Sequence, residues 1–276
     1  MSRLRRTSFT AALLATALAV TACSSAPDDA GDSADAPAEE TVTLHVAGVA
    51  MSTIDIVEAA SEAIGDGYEI DVVEVNDYVT VNRLLNDGEI HANFAQHEPF
   101  MEEFNDKNDA ELVAVQSVYN FTIAFYSKEL ATIDELQDGA TIAIPNDSSN
   151  LGRALKMLAE EGLIELDSDI DPYDATVANV AENPRGFEFL ELEISQLNNA
   201  YDEADLVFQW PAHISALGLN PDDDGLITEL DDVFALQLVV RAEDAESEET
   251  QALIDAFTSD EVRRVIEESD SIELSF

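Results

Sequence analysis

The sequence predicts an α/β protein of two lobes, each a parallel-rich sheet with helices on both faces, and a ligand cleft between them. Three observations carry this expectation. Strand-patterned and helix-patterned segments alternate in two successive series, the order that builds layered, parallel-rich sheets. The patterned part of the chain, residues 41–276, is long enough for two domains of roughly 100–150 residues. Hydrophobic residues are 46% of the 276 and aromatics 7%, enough for a core despite a formal net charge of −47. In such folds small ligands bind outside the carboxyl ends of strands.

The first series opens with a strand over residues 42–47. Ile54, Val57, Ala60 and Ile64 recur at helical spacing and predict a helix over 54–64. A partly alternating strand follows at 68–75, then a short helix at 78–85 that stops at Asn86-Asp87-Gly88. Next come a strand at 90–94, a helix at 97–107, and strands at 112–118 and 121–126. The second series has a short helix at 132–136, a strand at 140–144 and a helix at 148–161 stopped by Gly162. Residues 163–186 carry no clear period. Beyond them lie a strand at 187–192, a helix at 195–204 and strands at 205–208 and 234–240. A single long helix is expected at 248–269, capped by Ser247.

The first 40 residues read differently. Arg3, Arg5 and Arg6 precede an apolar run over residues 9–20. At about 12 residues it falls short of the roughly 20 that span a bilayer, so residues 1–22 read as a signal peptide. The run ends in Val20-Thr21-Ala22-Cys23, which resembles the bacterial lipobox. That resemblance implies cleavage before Cys23, a diacylglycerol on its thiol and an acylated amine, an anchor of two or three chains. Residues 24–40 contain only Ala, Ser, Pro, Gly, Asp and Glu, so 23–40 is expected to be an acidic flexible tether.

Charge and motif content exclude several functions. With 59 acids against 12 Lys+Arg, the chain repels nucleic acid. One cysteine excludes an intrachain disulfide and a Cys-rich zinc site. The acids are spread along the chain and suit a solvated surface in high salt; the other explanation is a set of cation sites. The best such string, Asp167-Ser168-Asp169-Ile170-Asp171, fails as a calcium loop because Pro172 holds the glycine place and Ala178 the terminal Glu place. No GxSxG, P-loop, GxGxxG or HExxH pattern occurs. No metal site, no cofactor and no catalysis are therefore expected.

One segment carries binding chemistry of its own. Asn146, Ser148, Ser149 and Asn150 are good capping residues where a helix opens after a strand, and a helix N-terminus is a carboxylate site. Arg153, about one turn on, either grips a carboxylate bidentately or pairs with a neighbouring acid.

Four strings resemble the NlpA family of methionine-binding lipoproteins: Asp77-Tyr78-Val79, Asn93-Phe94-Ala95-Gln96-His97-Glu98-Pro99-Phe100, Ala143-Ile144-Pro145-Asn146-Asp147-Ser148-Ser149-Asn150-Leu151-Gly152-Arg153-Ala154-Leu155, and Gly218-Leu219-Asn220-Pro221. The likeness runs over residues 41–276 and is most specific in the third string. It implies a two-lobed periplasmic-binding-protein fold of type II with a two-strand hinge. The expected lobes are 41–126 plus 236–276, and 127–235, with crossings near 126–127 and 234–236. The resemblance further implies an extracytoplasmic, lipid-anchored binding protein that captures methionine or a related solute. It would deliver that solute to a membrane permease driven by an ATPase. Ligand-contacting places fall on Tyr78, Phe94, His97, Phe100, Asn146, Asn150 and Arg153. Trp210 stands where the family has a ligand-contacting Asn, and Gly48-Val49-Ala50-Met51-Ser52 replaces its usual Pro-Gly-Pro-His-like turn. The Trp210 exchange implies methionine bound more weakly than is usual in the family, or a more apolar or N-substituted relative. Two other classes fit the composition: a surface lipoprotein in adhesion or envelope interaction, and an extracytoplasmic hydrolase built on a chance pair among the many carboxylates.

Overall fold

The computed structural model describes residues 41–49, 51–269 and 271–276. The expected signal peptide, Cys23 and the tether lie outside the described residues. Strand β1 (Val42–Gly48) leads into helix α1 (Met51–Ala63), then β2 (Tyr68–Glu74) and α2 (Tyr78–Asn86). β3 (Ala92–His97), α3 (Glu98–Asn108) and β4 (Leu112–Phe121) complete the first run. β5 (Ile123–Tyr126), β6 (Thr141–Pro145) and α4 (Ser148–Glu160) begin the second. Its remainder is β7 (Glu165–Leu166), β8 (Val180–Glu182), β9 (Glu188–Leu192), α5 (Leu197–Ala200), β10 (Leu206–Gln209), α6 (Pro211–Ile214), α7 (Pro221–Asp224) and β11 (Ile227–Glu229). The chain returns through β12 (Leu236–Arg241), α8 (Glu248–Phe257), α9 (Asp260–Glu267) and β13 (Ile272–Leu274).

Two mixed sheets result. The six-stranded sheet runs β13-β4-β12-β3-β1-β2, with β1 parallel to β2 and β3, and β12 antiparallel to both β3 and β4. The five-stranded sheet runs β11-β5-β10-β6-β9, with β10, β6 and β9 parallel and β5 antiparallel to β10 and β11. β7 and β8 form a small separate ladder in the stretch that lacked a pattern. Buried Leu44, Val46, Ile56, Val57 and Phe257 pack the first sheet, and Ile142, Ile144, Leu155, Leu206 and Phe208 the second.

The structure departs from the sequence expectation at both crossings, in the C-terminal helix and at 195–204, where only the short α5 forms. Residues 123–126 pair with β10 and β11, so the first crossing falls at Thr122 rather than at 126–127. The return crossing runs through residues 230–235, ahead of β12. The long C-terminal helix is broken: Ser259 Oγ accepts from Val262 N, and Thr258 Oγ1 donates back to Ile254 O. Hydroxyls that bond the local backbone compete with helix continuation. Among the described residues no helix is long and apolar enough to cross a membrane.

Candidate functional site

Strand ends and helix starts from both lobes converge on one cavity of about 260 Å³, smaller than the roughly 300–1,000 Å³ of drug-sized sites. From the first lobe, Tyr78 opens α2, where the Asp77 carboxylate caps Thr80 N at 2.6 Å. His97 ends β3 and caps α3, its Nδ1 accepting from Phe100 N at 3.2 Å. Behind them a buried amide cluster braces Gln96: Asn82 Nδ2 donates to Gln96 Oε1 at 2.7 Å, and Gln96 Nε2 to Asn93 Oδ1 at 3.0 Å. From the second lobe, Trp210 stands at the residue before α6, whose first residue is Pro211. Gln209 Oε1 accepts from Trp210 N at 2.9 Å, and Asn198 Nδ2 donates to His213 O at 2.7 Å. These amides set the loop that carries Trp210 and His213.

The lobes meet across the cavity. The Tyr78 hydroxyl and His213 Nε2 are 2.8 Å apart, and His97 Nε2 lies 3.0 Å from Asn150 Oδ1. Because His97 Nδ1 is an acceptor, its Nε2–H is the donor to Asn150. Burial first, and the Arg153 charge second, push the His97 pKa down to about 3, so the ring is neutral. Burial likewise lowers the His213 pKa and raises that of Tyr78.

A third bridge fills the expected helix-terminus anion site. Glu103 of α3 accepts from Ser148 N at 3.2 Å and Ser149 N at 3.1 Å, at the start of α4. Burial raises its pKa, but Lys107 and those amides outweigh burial and hold the carboxyl below its usual range. The protein's own carboxylate therefore sits where a ligand's was expected.

Of the sequence-derived candidates, Tyr78, His97, Phe100, Asn150 and Trp210 line the cavity. Three do not. Phe94 is core, its ring 5.4 Å from those of Tyr119 and Phe257. Asn146 is exposed on the loop before α4, its backbone N–H donating to Leu192 O. Arg153 is fully buried behind the wall: Nε donates to Glu229 Oε2 at 2.5 Å, and its guanidinium carbon lies 4.0 Å from the Phe234 ring centre. Its Nη1 and Nη2 have no hydrogen-bond partner among the described residues. Asp55, Tyr119, Phe121 and Leu236 line the cavity without having been singled out from sequence as ligand contacts. Tyr119 and Phe121 lie two apart on β4, the period that puts both on one face, and this alternation was the available signal.

Two lobes joined by two crossings around a cavity lined by aromatic rings define a bilobal solute-binding protein. The family profile described as NlpA lipoprotein matches residues 44–273, and the chain belongs to that family. The D-methionine-binding lipoprotein MetQ of Escherichia coli strain K12 is 37% identical over 212 residues, covering 75% of this chain and 78% of that protein. A nutrient binding protein from Burkholderia cenocepacia, solved bound to methionine, superimposes with a TM-score of 0.79 at 29% identity, covering 86% of this chain and all 100% of the other. An ABC transporter periplasmic substrate-binding protein from Coxiella burnetii gives a TM-score of 0.79 at 27% identity, over 84% and 100% of the two chains.

Proposed function

We propose that this lipoprotein captures methionine or a closely related amino-acid-like solute in its interlobe cavity and passes it to the permease of an ATP-driven importer. The pair of unpartnered Nη donors on Arg153 carries this reading. A buried charged donor left unpaired is expensive, by about 1–3 kcal/mol or more. Only a hydrogen-bond acceptor relieves that, and a carboxylate relieves it best. The guanidinium lies 6.0 Å from the centre of the Phe121 ring, which lines the cavity. A solute carboxylate seated past Phe121 and His97 would complete the ion-paired set begun by Glu229. The aliphatic or thioether end then lies among Tyr78, Phe100 and Trp210, where sulfur–ring contacts are favourable. The protein performs no chemistry on the solute. The crossings at Thr122 and 230–235 act as the hinge, and the Tyr78–His213, His97–Asn150 and Glu103–α4 bonds form on closure. Lipid on Cys23 holds the protein at the outer face of the membrane, and residues 24–40 give it reach.

The test is made on the solute, which spares the buried ion pair. Calorimetry compares L-methionine with L-methioninamide in about 1 M NaCl, where the Debye length is about 3 Å and long-range charge is screened. Loss of a charge-assisted carboxylate contact should weaken binding about ten- to a hundredfold. Equal affinities would remove Arg153 from the site.

A further inference from the structure

We infer that the cavity selects a cationic form of its solute, an amino acid whose side chain ends in an alkylated onium centre such as a sulfonium or quaternary ammonium. This rests on the amino-acid reading above and deepens it. Among the described residues, the rings of Tyr78, Phe100, Tyr119, Phe121 and Trp210 line the cavity beside His97 and His213. Neighbouring rings stand at steep angles rather than stacked face to face. Tyr78 and Phe100 cross at 70°, Tyr119 and Phe121 at 64°, and Trp210 and His213 at 78°. An onium ion takes no hydrogen bonds and is stabilised by aromatic faces.

Charge points the same way. Among the described lining residues, Asp55 is the one charged side chain, since His97 and His213 are held neutral by burial. Its carboxylate acts on the Tyr119 hydroxyl, which Ser52 also approaches at 3.3 Å. This corner is the place for a positive centre. No Lys or Arg lines the cavity among the described residues. Beyond it, 59 acids against 12 Lys+Arg set a negative field that draws cations in. Trp210, the most electron-rich of these rings, gives the strongest cation contact.

The experiment titrates the full-length lipoprotein in detergent with three probes: S-methyl-L-methionine, L-methionine and L-homoleucine, the neutral isostere of the first. The expected result is that S-methyl-L-methionine binds about two- to thirtyfold more tightly than homoleucine, the range of a cation–aromatic contact. The preference should narrow in Trp210→Leu and in Asp55→Asn. If methionine or homoleucine binds as tightly as the sulfonium, the inference is overturned and the amino-acid reading stands. If none of the three binds, the amino-acid reading falls and this inference with it.

Discussion

Gly152 is the position where one methyl group should do most damage. It lies in α4 against the turn Pro172–Asp174, and a Cβ built there would sit 2.0 Å from the Tyr173 carbonyl oxygen and 2.5 Å from its carbon. Ordinary contact begins near 3.4 Å, so turn and helix must part by about 1.4 Å. The obstacle is backbone and cannot swing aside like a side chain. Overpacking of this kind typically costs about 1–3 kcal/mol, and a backbone clash belongs at the upper end. Alanine recovers up to about 1 kcal/mol as the better helix former. The clash wins, and Gly152→Ala should lose about 1–2 kcal/mol, read as a lower urea midpoint. The displaced turn also carries Tyr173, whose ring centre is 5.3 Å from that of Phe234, and Phe234 packs on both Arg153 and His97. Methionine affinity should therefore weaken with stability. Gly65→Ala is the control, since nothing lies within 4 Å of its Cβ and its φ is not positive. It should be neutral or gain up to about 1 kcal/mol. Equal midpoints for Gly152→Ala and the parent would refute the steric argument.

Three further outcomes follow from charge and chemistry. His97 is held to a pKa of about 3 against an unfolded value near 6.5. Between those values the unfolded state binds the extra proton, so the stability this ring contributes is complete above about pH 6.5 and is lost on acidification toward pH 3. Nitrogen NMR should show the neutral Nε2–H form throughout that window, and a ring titrating near pH 6 would contradict the burial argument. The net charge of −47 strains the compact state through self-repulsion. Raising NaCl from about 0.1 to 1 M shortens the Debye length from about 10 to 3 Å, so the melting temperature should climb, and a flat profile would point to bound cations already neutralising the surface. Cys23→Ala should release the protein from the membrane fraction, and retention after a carbonate wash would rule out the lipid anchor.

What the sequence determined by itself is local. Periodicity placed most of the strands and the main helices, because alternation and the 3.6-residue repeat are written into neighbouring residues. Caps were equally legible: Ser247 accepts from Thr250 N as its position before α8 implies, and Gly162, with φ of 75°, stops the chain after α4. The strings around His97 and Asn150 marked two walls that come within 3.0 Å of each other across the cavity, although 53 positions separate them. Tertiary structure decided everything that depends on a distant partner. Arg153 could have faced a ligand or an acid, and Glu229, 76 positions away, takes its Nε while leaving its Nη donors unpaired. Phe94 and Tyr119 are both aromatic residues on strands. Only the registers of β3 and β4 against β12 determine that Tyr119 and not Phe94 reaches the cavity. Residues 123–126 pattern as a strand in either lobe, and their pairing with β10 and β11 assigned them to the second. Strand pairing and buried charge are set by which surfaces meet, and the energies that choose between partners come from desolvation, which no short stretch of sequence encodes.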